Sequence, residues 1–473
     1  MNKDKIIREQ ARMIEQLEAT IAVLQEEIAE LKEKLNKNSN NSAKPPSSDG
    51  LSKAKPRSLR TSSGKKPGAQ KGHEGKGLTL IGEIQSAIVH SPQQCENCKF
   101  CGQCISCGKS AVRNVIDVTI KAEVTPHYTE AFACPLQEGK VITGEFPEEI
   151  HSSIQYGNGI RALAIALNTA GMMSIHRTHE ILQAVLGVPV STGTISDMVE
   201  QFSDKIADTV QEIAAELQKQ PVVNCDETGI RVEGKNYWVH SACNADFTCL
   251  SLQEKRGYAG MEAAGFLPQY IGTIVHDCWK PYWSVQSVRH GLCCAHLLRE
   301  LNGVMENAPA QAFWANDMKA LLLEMNTARN EASTQGVTEF PSDVLRSYEC
   351  RYDAIINSAY AANPLPSRKP GQRGRIKRGK WLALVDRLAE HKGEVCLFAH
   401  DFSVPFTNNM AEQSIRMMKV KTKVSGCFRT EDGANHFTII MSYLHTAMKR
   451  HINAFMAILS GLSGNSRQIL LEG

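Results

Sequence analysis

The chain lacks the features that mark membrane and secreted proteins. None of its 473 residues belong to an apolar run of about 18 residues, so no transmembrane helix is predicted. The N-terminal segment mixes Glu, Lys and Leu, where a signal peptide would have an uninterrupted apolar core and a cleavage site. We therefore expect a cytoplasmic protein without a membrane partner.

The chain also has little net charge. Lys and Arg number 53 and Asp and Glu 50, which gives a formal net charge of +3. Composition alone therefore does not indicate a nucleic-acid-binding protein, and only the distribution of charge can do so. A length of 473 residues, 42% of them apolar, predicts a soluble chain with two or three folded domains.

A heptad pattern predicts a coiled-coil zipper over residues 1–36. The two seam positions hold Ile7, Ile14, Ile21, Ile28 and Leu35, and Leu17, Leu24 and Leu31. Ile at one seam position and Leu at the other favour a parallel two-stranded pairing, although Gln10 weakens the second seam. The pattern predicts a homodimer or a higher assembly. The alternative is a single long helix that packs on its own domain.

Residues 37–80 have the composition of a basic flexible linker. They are rich in Asn, Ser, Pro, Gly and Lys and contain few side chains that could form a core. Lys65, Lys66 and Lys71 belong to a local positive excess, which predicts contacts with DNA phosphates. The alternative is a solvated linker without a partner.

Five cysteines at a three-residue step predict a zinc-binding module over residues 85–145. Thiolates separated by two residues can bind one tetrahedral zinc ion. The step is formed by Cys95, Cys98, Cys101, Cys104 and Cys107. We expect this zinc to be structural, although a cluster that binds no metal is the alternative.

The zinc ligands are predicted to be Cys104, Cys107 and Cys134, with Cys98 as the fourth. Another of the earlier cysteines or His127 could take the fourth position instead. The assignment stays open because one half of a tetrahedral site takes two ligands, and the cluster offers five cysteines for those two positions.

The sequence pattern of the remaining two thirds of the chain, from residue 150 onward, predicts helical and α/β domains. Residues 150–220 have a helical pattern that fits either a DNA-binding helix-turn-helix or a helical bundle. Strand-like runs such as VVNCDETGIRV, NYWVHSACN, FTCLSLQ and IGTIVHDCW predict an α/β domain from residue 221 to 310. A helical insertion over 311–400 separates it from its last part, 401–473.

Three acidic residues are candidates for a catalytic metal centre. Asp226 and Asp277 each follow an apolar run, and we expect both near the carboxyl ends of buried strands. Glu412 falls on the first turn of a predicted helix that Asn408 or Asn409 could cap. Three carboxylates could hold two Mg²⁺ ions for phosphoryl transfer. By spacing alone, Asp226 could instead cap a turn, Asp277 could anchor a loop and Glu412 could favour the start of a helix.

Basic and polar side chains near these acids predict contacts with DNA. His296 and Arg299 share one face of a predicted helix, and Arg416, Lys419 and Lys423 recur at helical spacing after Glu412. Alternatively, His296 could be a buried structural histidine and Arg299 a surface arginine. The three basic residues after Glu412 could form a solvated helix face.

The chain resembles the transposases of the insertion-sequence 66 family over nearly its full length. The resemblance rests on the segments NSNNSAKPPSSDG, PGAQKGHEG, CDETGIRV, YWVHSACN, HDCW, CCAHLLREL and NNMAEQSIRMMKVKTKVSGCFRTEDGANHF. It implies an RNase H-like catalytic domain with a DDE triad at Asp226, Asp277 and Glu412. The triad would bind two Mg²⁺ ions, or Mn²⁺ in their place, and a zinc module and a zipper would precede it.

The resemblance also implies a function and its partners. The expected protein is a bacterial DDE-type transposase, associated with the nucleoid in action, that cleaves and transfers DNA strands at the ends of its insertion element. Its partners would be the double-stranded element ends, the target DNA and small accessory proteins of the same element. Gln413 departs from the family, which commonly places Arg there. The alternative function is a non-catalytic DNA-binding regulator derived from a transposase.

Overall fold

A computed structural model describes most of the chain. The described residues are 3–38, 41–42, 84, 87–88, 90, 111–118, 120–133, 135, 140–365, 376 and 378–472. Two compact units cover the chain, Met1–Arg57 with Phe146–Leu182 and Pro189–Gly473, and Ser58–Glu145 with Gln183–Val188. None of the helices in the described ranges is both long and apolar enough to cross a membrane.

The chain is a mixed α/β protein. Its strands are β1 (Ala131–Ala133), β2 (Val141–Thr143), β3 (Val222–Val232), β4 (Lys235–Cys243), β5 (Thr248–Gln253), β6 (Thr273–His276) and β7 (Arg289–Leu292). Its α-helices are α1 (Lys3–Asn36), α2 (Asn158–Asn168), α3 (Ile175–Leu186), α4 (Thr192–Gln218), α5 (Tyr258–Ala263), α6 (Cys294–Asn307), α7 (Ala312–Thr334), α8 (Ser342–Ala362), α9 (Lys380–Glu390), α10 (Lys392–His400), α11 (Asn409–Ser425), α12 (Glu431–Lys449), α13 (Ala454–Leu462) and α14 (Ser466–Leu471).

A five-stranded sheet of order β5-β4-β3-β6-β7 is the centre of the larger unit. β3, β4 and β5 form an antiparallel meander, and β6 and β7 extend it in parallel with β3. Apolar side chains of β3 and β6, such as Val223 and Ile274, are completely buried. Strands β3 to β6 confirm the four strand-like runs of the sequence.

Helices from distant parts of the chain cover the sheet. α11 packs on β3 and β4, whereas α4 and α12 pack on β5 and on each other. Ile206 and Ile213 of α4 are fully buried, as the helical spacing of its apolar residues requires. Residues 192–218 therefore share the core of the sheet that carries the candidate acids.

Helices α7 to α10 extend the core beyond the β7 edge. Trp314 of α7 and Tyr352 of α8 are fully buried in one apolar cluster with Val275 and Leu292 of the sheet. α10 packs directly on β7. The helices between residues 311 and 400 therefore support the edge of the sheet on which β6 and β7 lie.

Helix α1 exposes the apolar stripe predicted to form a zipper. Its seam side chains are 50–85% exposed, among them Ile21, Leu24 and Leu35. These side chains make no core with the rest of the described chain. The helix is as long as predicted, and its pairing with a second copy stays a prediction.

Two parts of the strand prediction are wrong. The run VRNVIDVTIKAEV, residues 112–124, has a β-like pattern that predicts a strand in the zinc-binding module, but its described residues form none. The short β1–β2 hairpin lies further along, with Ala131 paired to Thr143. β7, with the sequence RHGL, was not predicted because it lacks β-branched residues. It forms because the parallel edge of β6 offers it backbone hydrogen-bond partners.

Candidate active site

Asp226 and Asp277 lie side by side where the parallel pairing of β3 and β6 ends. The last paired position joins Asn224 to Val275, and each aspartate comes two residues after it. Asp277 follows the end of β6, as predicted. The prediction for Asp226 is wrong in one respect, because β3 continues to Val232 through its antiparallel pairing with β4.

A tight turn fixes Asp277 after β6. Its Oδ1 accepts a hydrogen bond from the backbone N–H of Trp279 at 2.9 Å. Cys278, between them, has a left-handed φ of 68°, which costs a non-glycine residue conformational energy. The N–H of Cys278 donates to Nδ1 of His276 at 3.1 Å, which supports the turn from the strand side. The backbone is thus held in a strained form beside a candidate catalytic acid.

The acids Asp226, Asp277 and Glu412 interact electrostatically. Burial, followed by the charges of Glu227 and Asp277, raises the pKa of Asp226 well above its usual value, and Glu412 adds to the effect. Burial also raises the pKa of Asp277, and burial together with Asp277 raises that of Glu412. Negative groups so close together in a desolvated site favour a bound cation.

Asn408 connects the start of α11 to β3. It occupies the N-cap position, but its side chain makes no capping hydrogen bond. Its Nδ2 donates instead to the carbonyl of Cys225 at 2.7 Å, and its Oδ1 accepts from Asn224 at 2.9 Å. The predicted side-chain cap by Asn408 is therefore wrong, because the buried amide satisfies both of its polar groups on the sheet.

Two further contacts fix α11, one to the sheet and one to the end of α2 and the loop after it. Ser414 shares a 2.7 Å hydrogen bond with Ser241, which is the cross-strand partner of Asp226. Lys421 donates to the carbonyls of Asn168 and Met173, each at 2.7 Å. Burial lowers the pKa of Lys421 to about 8. Glu412 thus lies on a helix that is held at both ends.

His296 and Arg299 contact Glu412 from α6. His296 Nδ1 is 3.7 Å from Glu412 Oε1, and an Arg299 guanidinium nitrogen is 3.6 Å from the same oxygen. Burial, followed by the charge of Arg299, lowers the pKa of His296 to about 3, so its ring is neutral. Their shared helix face, predicted to approach DNA phosphate, is therefore directed at the third candidate acid.

A fourth carboxylate, Glu227, lies beside the three candidates. Its Oε1 accepts from Arg256 Nε at 3.1 Å and from an Arg256 terminal nitrogen at 2.8 Å, and its Oε2 accepts from the Tyr282 hydroxyl at 2.9 Å. The Arg256 guanidinium also lies 4.1 Å from the Trp279 ring centre and 4.9 Å from that of Trp238. This network joins β3 to the turn that fixes Asp277.

The basic residues predicted after Glu412 are accessible on α11. Arg416 and Lys423 are exposed and Lys419 is half-buried. Lys421, on the opposite side of the helix, is buried. Arg416, Lys419 and Lys423, which we name the α11 basic stripe, therefore form one open face of the helix that carries Glu412.

The other predicted site residues lie outside the described part of the chain. They are the basic residues Lys65, Lys66 and Lys71 and the zinc ligands Cys98, Cys104, Cys107 and Cys134. The linker contacts and the zinc site therefore stay predictions.

The carboxylate centre fits a hard divalent cation. Its acids supply oxygen atoms, which Mg²⁺ and Mn²⁺ prefer. Glu412 Oε1 is buried and makes no hydrogen bond with any described residue. An acceptor in that state costs free energy unless it gains a proton, a donor or a metal ion. The same oxygen faces Arg299, which partly balances its charge.

Sequence reasoning missed four residues that build the site. They are Glu227, Arg256, Asn408 as a link to the sheet, and Cys293 next to His296 and Glu412. The DET segment offered one signal, since a second acid directly follows Asp226. Side chains alternate along a strand, so two consecutive residues are expected to face opposite sides of the sheet, and this signal alone does not place both acids in one site.

Comparison with known protein families agrees with this organisation. A family of unknown function (DUF6444) matches residues 2–79. No curated protein matches the chain. The family described as Transposase IS66 family matches residues 153–436, which cover the sheet, Asp226, Asp277, Glu412 and more than half of the chain. The chain therefore belongs to the IS66 family of transposases.

Proposed function

We propose that this transposase is of the DDE type and catalyses Mg²⁺-dependent DNA cleavage and strand transfer at the ends of its insertion element. One observation carries the proposal, namely the convergence of Asp226, Asp277 and Glu412 into one electrostatically coupled cluster. Acids that depress one another's ionisation in a desolvated site are typical of catalytic and metal-binding centres. The family membership supplies the class of substrate.

The sheet supports an RNase H-like catalytic core. Its antiparallel meander β3-β4-β5 is followed by two parallel strands, with β3 in the centre. Asp226 lies on β3, Asp277 directly follows the parallel neighbour β6, and Glu412 comes from α11, which packs on β3 and β4. This arrangement brings residues separated by almost 190 positions to one end of the sheet, as a triad requires.

Each residue of the centre has a distinct role in the proposal. Asp226, Asp277 and Glu412 would hold the ions through their oxygens. Two Mg²⁺ ions would activate the attacking oxygen and stabilise the leaving oxygen of an in-line displacement. Arg299 and neutral His296 orient Glu412 from α6. Trp279 holds Asp277 through its backbone N–H.

Recognition and assembly are assigned to other parts of the chain. The basic linker, a zinc module with Zn²⁺ as a structural ion, and the helical region before residue 220 would bind element ends. α1 would join two or more copies, since its apolar stripe is exposed. Small accessory proteins of the same element are further proposed partners.

Strand-transfer assays on the element's own ends test the proposal. Asp226→Asn, Asp277→Asn and Glu412→Gln each remove one metal-binding charge with little change in shape. Each is expected to lower the rate of strand transfer by about 100-fold or more and to leave end binding intact. The matched control is Glu262→Gln, because Glu262 is an exposed acid on α5 and its loss should leave the rate unchanged.

The outcomes separate the proposed enzyme from a DNA-binding regulator. End binding without strand transfer by the unmodified protein, in Mg²⁺ or Mn²⁺, would favour the regulator. Normal strand transfer by any of the three acid variants would show that the triad is assigned incorrectly.

A further inference from the structure

A second group of metal-ligating side chains lies against the carboxylate centre. Cys293, His296 and Glu412 each offer one ligand atom, and these atoms lie within 4.8 Å of one another. His296 Nδ1 and Glu412 Oε1 are both buried without a hydrogen bond to any described residue, although they are only 3.7 Å apart. Ligands around a tetrahedral zinc ion are about 3–4 Å apart, so small side-chain rotations would complete the site.

The three donors differ from those that Mg²⁺ selects. A thiolate and an imidazole are typical ligands of Zn²⁺ and Co²⁺, whereas Mg²⁺ prefers oxygen and keeps most of its waters. Cys293 and His296 are therefore not expected to be ligands of Mg²⁺. Combined with Glu412, they form a three-ligand set that leaves one position of a zinc ion open to water.

Burial raises the pKa of the Cys293 thiol to about 11, so a metal ion must displace the thiol proton, and two local features favour the resulting thiolate. Cys293 is the N-cap residue of α6, where the helix dipole favours negative charge. The backbone N–H of Asn408 donates to its Sγ at 3.1 Å, a contact that stabilises metal-bound sulfur. Metal binding would release the thiol proton to solvent. Glu412 is 35% exposed, which gives an ion access to the site.

We propose that Cys293, His296 and Glu412 form a site for a thiophilic divalent ion such as Zn²⁺, and that this ion withdraws Glu412 from the carboxylate centre. The ion displaces the contact between Arg299 and Glu412 and draws the carboxylate towards the N-terminal end of α6, where Cys293 and His296 lie. Mg²⁺ cannot compete effectively for the thiolate. The binding half of the proposal stands on the geometry, and the withdrawal half rests on the proposed function.

Cobalt titration of the purified full-length protein tests the binding half. Co²⁺ takes the place of Zn²⁺ and gives a thiolate-to-metal absorption band. We expect Cys293→Ser to bind one Co²⁺ fewer per chain than the unmodified protein, with a matching loss of absorption. The cysteines between Cys95 and Cys134 are the same in both proteins, so their signal cancels in the difference.

Cys294→Ser is the matched control. The Cys294 thiol is also fully buried, but it contacts the carbonyls of Leu292 and Val395 in the core. Cys294→Ser should bind as much Co²⁺ as the unmodified protein. His296→Gln provides a second test that leaves every cysteine in place, and it should lose the same ion. Equal binding by the unmodified, Cys293→Ser and His296→Gln proteins would overturn the proposal.

Zinc inhibition of Mg²⁺-supported strand transfer tests the withdrawal half. The zinc concentration that halves the rate should be about tenfold or more higher in Cys293→Ser than in the unmodified protein, with each protein normalised to its own zinc-free rate. Equal inhibition of both, despite the loss of one Co²⁺, would overturn the withdrawal. A protein that binds Co²⁺ as expected but transfers no strands would overturn the proposed function and leave the metal site intact.

Discussion

Asn224 and Asn408 are joined by a buried hydrogen bond between their side chains, at 2.9 Å and across 184 positions of sequence. Asn224 precedes Asp226 by two residues on β3, and Asn408 precedes Glu412 by one helical turn on α11. The bond therefore sets the position of the third acid relative to the first. Both side chains are almost fully buried, so water cannot replace either partner.

Replacement of Asn408 tests how strongly this link supports the fold. Asn408→Ala leaves the Cys225 carbonyl without its 2.7 Å donor and the Asn224 amide without its 2.9 Å acceptor. We expect the free energy of unfolding to fall by roughly 2–4 kcal/mol, measured by chemical denaturation. Asn409→Ala, at the exposed neighbouring position, should change it by less than about 0.5 kcal/mol. Equal values for the two variants would contradict a structural role of Asn408.

Strands that bury apolar β-branched residues could be predicted from the sequence. β3 and β6 contain the runs VVN and TIV, and their burial is complete at Val223 and Ile274. The exact position of Asp226 within β3 could not be predicted, because the antiparallel partner β4 decides how far β3 extends. The strand β7 exists for a similar reason, since β6 provides its hydrogen-bond partners.

The surroundings of the acids were harder to predict than the acids themselves. Helical spacing placed His296 and Arg299 on one face of α6, and the structure has them on one face. What that face contacts depends on α11, more than 100 residues further along the chain. The role of Glu227 was hidden for the same reason, since its partner Arg256 comes from a loop after β5.

Glu227 should make the stability of the protein depend on pH. Burial, followed by the charge of Asp277, raises its pKa from 4.5 to about 7, against the opposing effects of Arg256 and Tyr282. The unfolded chain loses this proton at lower pH than the folded chain. The contribution of Glu227 is therefore fully present below pH 4.5 and is lost as the pH rises through about 7.

Denaturation at about pH 5 and at about pH 8 measures this effect. Between these conditions in metal-free buffer, the free energy of unfolding should fall by roughly 2.5 kcal/mol more in the unmodified protein than in Glu227→Gln, because the amide does not ionise. The other acids titrate in both proteins, so their contributions cancel to first order when the pH dependence of one protein's stability is subtracted from that of the other. The same pH dependence in both proteins would show that Glu227 does not titrate in this range.

The exposed stripe of α1 predicts self-association through its Ile and Leu side chains. Ile21 and Leu24 are 52% and 50% exposed in the single chain. Ile21→Lys combined with Leu24→Lys would place charges in the seam of a two-stranded pairing, so we expect the dissociation constant to rise by about 100-fold or more, which is ~3 kcal/mol. Analytical ultracentrifugation measures this change.

A charge change outside the seam is the control for the zipper. Glu15 is exposed and lies one position after the seam residue Ile14, so Glu15→Lys alters the charge of α1 without entering the interface. It should leave the dissociation constant within about threefold of the unmodified value. A monomeric unmodified protein, or equal association of all three proteins, would contradict the predicted zipper.

The α11 basic stripe predicts a salt-dependent contact with DNA phosphates. Arg416 and Lys423 are exposed on the helix that carries Glu412, whereas Lys421 uses its amine on two backbone carbonyls and cannot take part. The plot of log affinity against log salt has a negative slope. Arg416→Gln and Lys423→Gln should each reduce its magnitude by about 1, because each variant loses one phosphate contact. Binding titrations at several salt concentrations measure this slope.

The choice of DNA distinguishes the kinds of contact. A phosphate contact carries no sequence information, so both variants should weaken binding to element ends and to a scrambled duplex by the same factor. Arg346→Gln, an exposed change on α8, is the control and should leave the slope unchanged. Loss confined to element ends would instead indicate a base contact. Unchanged slopes for both stripe variants would leave the stripe a solvated helix face, and the phosphate backbone would then have to be held by other residues around the three acids.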